Sequence, residues 1–226
     1  MVSTGSRDWP DVAALVLPGS RAARDASRAI KPGRHGLPPE EVAHIQRERL
    51  IDAFVQVVAE AGYGQTTIAK VTDAAGVTKK TFYEHFGTLE ECFLVVYERG
   101  SKQLLAVMTE AFQAAPDWRC GLENALRVLL KVLAAEPPFA HVALVEVNAA
   151  GPRVRQARIA YLRTLRELFT AAAEGLPEVP DDVLDAMIGG VYTAIYLRIE
   201  AGRCAELPEL LPTIVYFALL PLGGRD

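Results

Sequence analysis

Cysteine is scarce in this chain. Three residues in 226, Cys92, Cys120 and Cys204, are odd in number and far apart. That excludes a disulfide framework and a clustered cysteine metal site, and it points to a reduced compartment, the cytoplasm. Aromatic residues make up 8% of the chain, and no stretch alternates apolar and polar residues as a half-buried strand does. Long apolar runs are missing as well. The longest uncharged stretch, Leu210 to Gly224, is interrupted by Pro212 and Pro221 and is short for a bilayer crossing, so no membrane partner is expected. Asp8, Pro10 and Asp11 interrupt the N-terminus where a signal peptide would have its apolar core. An excess of positive charge is lacking too. The net charge is −4, so any contact with nucleic acid must rest on a local basic face. His35, His44, His85 and His141 show no paired metal spacing, and no glycine-rich phosphate loop follows a strand. No cysteine stands beside an obvious activating partner. Neither an enzyme, a metal nor a cofactor is expected.

What the chain does contain is helix-forming residues. Half the residues are apolar, with Ala and Leu foremost, which favours an all-α fold. The pattern divides into a basic, flexible N-terminal arm (1–37), a three-helix helix-turn-helix domain (38–87) and a larger helical domain (88–226). In the arm, Lys31 and Arg34 lie nearest the domain and are candidates to lie along phosphates or enter a minor groove. Pro38-Pro39-Glu40-Glu41 opens the first domain helix, whose inward stripe is Ile45, Leu50, Phe54, Val57, Val58 and Ala61. Gly62 ends it.

The stretch Thr67 to Phe86 organises the rest. Thr67 can cap a first short helix through its hydroxyl, and Ile68, Val71 and Ala75 form its apolar face. Gly76 stands where a left-handed cap favours glycine. Thr78 caps a second helix that Phe82 and Phe86, four apart, would anchor in the core. Lys79, Lys80, Thr81, Tyr83, Glu84 and His85 are left facing out. Lysines suit phosphates and guanine edges, and Thr, Tyr and His can donate to phosphate oxygens. The DNA-contacting set expected from this reading is Thr67, Thr78, Lys79, Lys80, Thr81, Tyr83 and His85.

These residues resemble the TetR family of bacterial transcription regulators. The likeness is carried by Ala61-Gly62-Tyr63, Thr66-Thr67-Ile68, Ala75-Gly76-Val77-Thr78 and Thr81-Phe82-Tyr83-Glu84-His85-Phe86, and it covers roughly Arg47 to Phe93. It implies a homodimer on a double-stranded, palindromic operator, usually a repressor released by a small-molecule effector. Three positions depart from the family pattern. Thr72 replaces a small alanine at the helix crossing, Lys70 an acidic residue in the first turn, and Leu89 a lysine after the second helix.

Beyond Thr88 the pattern is helix after helix: Leu89 to Ala114, Asp117 to Ala135, Phe139 to Asn148, Pro152 to Glu174, a helix capped by Asp181 or Asp182, and Pro208 to Leu222. On the Pro152 helix, Ala160, Leu162, Leu165 and Phe169 are expected inward, and Arg153, Arg155, Arg158, Arg163 and Arg166 on a solvated face. The last two helices carry Ile188, Val191, Ile195, Leu211, Ile214, Val215, Phe217, Ala218 and Leu219, more apolar surface than one copy can hide. The resemblance places the dimer seam there. Gly189-Gly190 calls for a close helix approach. An apolar effector pocket would draw on Tyr97, Leu104, Met108, Phe112, Leu126, Leu130, Glu146, Tyr161, Tyr192 and Tyr196, with Glu146 favouring a cationic or hydrogen-bonding ligand. The alternatives are a helical small-molecule or protein-binding module, or a small helical enzyme, without DNA binding.

Overall fold

The computed structural model describes residues 15–28, 37–172 and 179–220. Among the described residues the secondary structure is helical throughout, with no strand. Three helices form a small head: α1 (Pro39–Ala61), α2 (Ile68–Ala75) and α3 (Lys79–His85). Six form the body: α4 (Leu89–Gln113), α5 (Trp118–Ala135), α6 (Pro137–Leu144), α7 (Pro152–Ala172), α8 (Asp181–Glu200) and α9 (Leu211–Leu219). The core runs unbroken from head to body, because α1 packs on α2, α4 and α6.

Local chemistry accounts for most element ends. Thr67, Thr78, Thr88 and Asp117 each accept a backbone N–H three residues on, satisfying one of the unpaired donors of a first helical turn. Gly76, at φ 64° and ψ 42°, closes α2 in the left-handed conformation that a side chain disfavours. Leu50, Phe54 and Val58 are fully buried, as the α1 stripe requires, but Ala61 is exposed because the helix has already left the core at its last turn.

The body departs from the sequence reading in four places. Neither Asp181 nor Asp182 caps α8; Pro180 precedes it, and Asp181 instead faces Arg166 at 3.4 Å. The last α-helix starts at Leu211 rather than Pro208, because Pro208 sits in a 3₁₀ stretch, Cys204–Leu210, ahead of it. Proline has no N–H to give, and Pro212 occupies the first turn of α9, where none is needed. Helix α6 stops at Leu144, where the Asn148 amide donates to the Leu144 and Val145 carbonyls and draws Glu146–Asn148 into a 3₁₀ turn. Ala160 points to solvent.

The two last helices hide more of themselves than expected. Ile188, Val191, Ile195, Leu211, Ile214 and Ala218 are buried within the one chain. What stays uncovered is Val183, Leu197, Tyr216, Phe217 and Leu220. A β-carbon on Gly190 would collide with the Phe217 ring, whereas Gly189 faces open space. One glycine therefore serves α9, and the other is free for a surface contact.

Candidate nucleic-acid interface and effector cavity

Helix α3 is held from behind and bare in front. Phe82 and Phe86 are buried to 0% and 1% exposure with ring centroids 5.7 Å apart. Lys79, Lys80, Tyr83 and Glu84 are exposed, and Thr81 and His85 are half-buried. The Thr78 and Thr81 hydroxyls lie 3.0 Å apart, so the first turn is knit before any partner arrives. Lys80 approaches Glu84 at 3.7 Å in full solvent, a pair too weakly bound to hold the lysine back from a phosphate. Burial, with the Arg47 charge behind it, pushes the His85 imidazole below its ordinary pKa. Of the departures noted in the sequence, Thr72 satisfies its own hydroxyl within α2. It is buried, and its hydroxyl donates to the Ile68 and Ala69 carbonyls at 2.9 and 3.0 Å. Lys70 turns back to the Gln65 carbonyl at 2.8 Å.

The N-terminal arm, expected to be flexible, is in part a strap. Lys31 and Arg34 lie outside the described residues. Residues 15–28 wrap across α1: Gly19 N–H donates to Asp52 Oδ1 at 2.8 Å, and Arg28 meets Asp52 Oδ2 at 2.7 Å. Gln56 reaches the Arg21 carbonyl at 2.8 Å, and Leu17 is buried. At one end Gln103 of α4 donates to the Val16 carbonyl at 3.0 Å. At the other, the Arg24 guanidinium donates to the Asp73 and Ala74 carbonyls in the last turn of α2. Sequence reasoning missed this strap. The signal was Asp52, a carboxylate inside the run Leu50-Ile51-Asp52-Ala53-Phe54-Val55, which needs a buried partner. Burial raises the Asp52 carboxyl pKa, and the Gly19 N–H and Arg28 oppose that shift.

Between α4, α5, α6, α7 and α8 lies a cavity of about 90 Å³. Its walls are apolar apart from Tyr97, Ser101, Arg158, Tyr161 and Tyr192. Burial pushes the Tyr97 hydroxyl up to about 12, with the Ser101 hydrogen bond and the Arg158 charge acting against it, and raises Tyr161 also. Both phenols stay neutral donors. Of the residues expected at a pocket, Tyr97, Leu104, Met108, Leu126, Tyr161 and Tyr192 line this cavity, and Phe112, Leu130, Glu146 and Tyr196 do not. Leu130 is consumed by the core, and Tyr196 stacks on Tyr192 with centroids 6.2 Å apart. Glu146, displaced by the early end of α6, accepts the Tyr63 N–H of the head at 2.7 Å. It is a clasp between head and body. A second clasp runs from Glu90, in the first turn of α4, to the Arg153 N–H at the start of α7, 3.0 Å apart.

Arg158 is the largest difference from the expected solvated face. It shares an i, i+3, i+4, i+7 row with Tyr161, Leu162 and Leu165, and that spacing alone puts it on the inner side of α7. Among the described residues no three His, Cys, Asp or Glu side chains come together as a metal site, and no single helix is long and apolar enough to cross a membrane.

The family model described as "Bacterial regulatory proteins, tetR family" matches residues 50–96, the latter part of α1 through the first part of α4. The fatty acid metabolism regulator protein of Bacillus subtilis is 27% identical over 108 residues, 48% of this chain and 56% of that protein, so the likeness spans about half of it. Among solved structures, the fatty acid degradation regulator FadR of Bacillus halodurans superposes with a TM-score of 0.71 at 22% identity, covering 84% of this chain and 100% of its own. FadR of Bacillus subtilis, solved in complex with stearoyl-CoA, gives 0.68 at 21%, covering 81% and 100%. These superpositions establish a shared fold. Residues 50–96 thus match the tetR family of bacterial regulatory proteins, and the body shares its helical fold with the solved regulators.

Proposed function

We propose that this chain is a cytoplasmic transcription repressor that grips a palindromic operator as a homodimer and is released by an effector with a long apolar chain. The observation that carries the DNA reading is α3, anchored by two buried phenylalanines and presenting Lys79, Lys80 and Tyr83 without cover. Thr67, Thr78, Thr81 and His85 border that face and, with the lysines and Tyr83, make up the contact set. Lys31 and Arg34 extend it along the backbone. Two copies joined through Leu197, Tyr216, Phe217, Leu220 and the open Gly189 would set two such helices in successive major grooves, roughly 34–36 Å apart.

The effector reading rests on a cavity walled mainly by apolar side chains, and on a fold shared with a regulator solved with stearoyl-CoA. An effector acts by binding the DNA-incompetent arrangement better than the competent one. The Glu146–Tyr63 clasp ties the end of α6 to the head, and Glu90–Arg153 ties α7 to the start of α4, the helix that follows the readers, so a shift of α6 or α7 reaches them. Mobility-shift titration against DNA upstream of the gene tests the first part. A discrete complex is expected, lost on adding a long-chain acyl compound. A dimer with no preference for that DNA over unrelated duplex would leave a helical binding module as the reading.

A further inference from the structure

We propose that the cavity holds a carboxylate against Arg158, so that the effector is an apolar chain ending in a free acid group. The inference rests on the acyl reading for the tail and adds the chemistry of the head. Among the described residues lining the cavity, Arg158 is the one that carries charge, and no carboxylate shares that lining. Its guanidinium carbon lies 4.6 Å from the centre of the Tyr192 ring. One Nη donates to Asn148 Oδ1 at 3.1 Å, and Nε is buried with no hydrogen-bond partner. The acidic partners on this side of the fold, Asp181 and Asp185, go to Arg166 two turns further along α7.

A guanidinium in such a place is incompletely satisfied. An amide oxygen takes one donor and neutralises no charge, while the ring face holds the group in orientation. A carboxylate supplies two acceptor oxygens in the plane of the fork together with the missing negative charge. The neighbouring Tyr97 and Tyr161 hydroxyls, kept protonated by burial, can donate to the same anion. A neutral ester, thioester or alcohol would take one hydrogen bond and leave the charge uncompensated.

The contact also reaches the head. Asn148 closes the 3₁₀ turn that begins at Glu146, and Glu146 holds the Tyr63 N–H. A carboxylate on Arg158 competes with Asn148 for the guanidinium, so occupancy of the cavity bears on the turn that clasps the DNA-binding domain.

Calorimetric titration of the full, DNA-free protein with dodecanoate, dodecanol and dodecanoyl-CoA tests the site. Dodecanoate should bind about tenfold or more tighter than dodecanol. Arg158→Leu should erase that preference, while Arg158→Lys, which keeps the charge, should retain part of it. Equal binding of acid and alcohol by the native protein, or an acid affinity unchanged in Arg158→Leu, overturns the proposal and leaves the apolar cavity as an acyl site. A dodecanoyl-CoA affinity above that of the acid and indifferent to Arg158 overturns it likewise. If none of the three binds, the acyl reading fails with it. Operator binding by the same unliganded sample, measured beforehand, shows whether the DNA reading stands regardless.

Discussion

The head is filled and the body is hollow. Around α3 the side chains of Phe54, Phe82, Phe86 and Phe93 are buried to 0–1% exposure and meet ring against ring. Around α7 the apolar residues leave a cavity of about 90 Å³ with a charged group on its wall. The difference lies in what each part must hold still. A DNA-reading helix works only if its angle is fixed, and close packing fixes it. An effector site works only if something can enter, so its walls forgo contacts until the ligand supplies them.

That contrast can be broken by mutation. The largest effect should come from Phe82→Ala, which empties a tight site and should cost about 4 kcal/mol in chemical denaturation. Met108→Ala, which enlarges an existing cavity, should cost markedly less. Equal losses would mean that the body is packed as tightly as the head. Asp52→Ala comes next, at about 3 kcal/mol, because Arg28 is then left partly buried without its partner. It should also free the strap for proteolysis between residues 15 and 28.

Lys80→Ala and Tyr83→Ala act on the bare face and should spare stability. Each should weaken operator binding by about tenfold, with the dimer intact by light scattering. Ala143→Leu sharpens the other side of the comparison, since a larger side chain in the cavity wall adds contacts where there were none. A gain of about 1 kcal/mol is expected, together with loss of effector response. A destabilised protein would show that the cavity wall cannot yield.

The smallest effect concerns pH. The His85 pKa is lowered in the folded chain, so over the window below its ordinary value of 6.5 the unfolded chain binds more protons than the folded one. Stability should therefore rise with pH through that window and fall as the solution is acidified. His85→Gln should flatten this part of the profile in thermal melts recorded from pH 5 to 7.

How much could be read from the sequence follows the range of the interactions. The helix-turn-helix was legible because its determinants are neighbours: Thr67 and Thr78 cap helices that begin one residue later, and Phe82 and Phe86 are one turn apart. The cavity was half legible. Apolar periodicity marks an inner face but does not say whether that face is filled. Leu130 and Leu126, four residues apart on α5, look alike in sequence, yet one is lost in the core and the other lines the opening. Glu146 was misplaced because a single amide, Asn148, ended its helix early. The exposed dimer surface was overestimated because six of its nine residues turned out to be covered by the chain itself.

By itself the sequence determined most of the helices, the Thr67 and Thr78 caps and the polar face of α3, since hydrogen bonds and side-chain rows within four residues are fixed by local geometry. The tertiary structure alone decided that Asp52 meets Arg28, that Glu146 grips Tyr63, and that Arg158 looks into a cavity. Each of these joins residues tens of positions apart or sets a charge against a space. Such pairings depend on how whole helices cross, a property no single helix possesses.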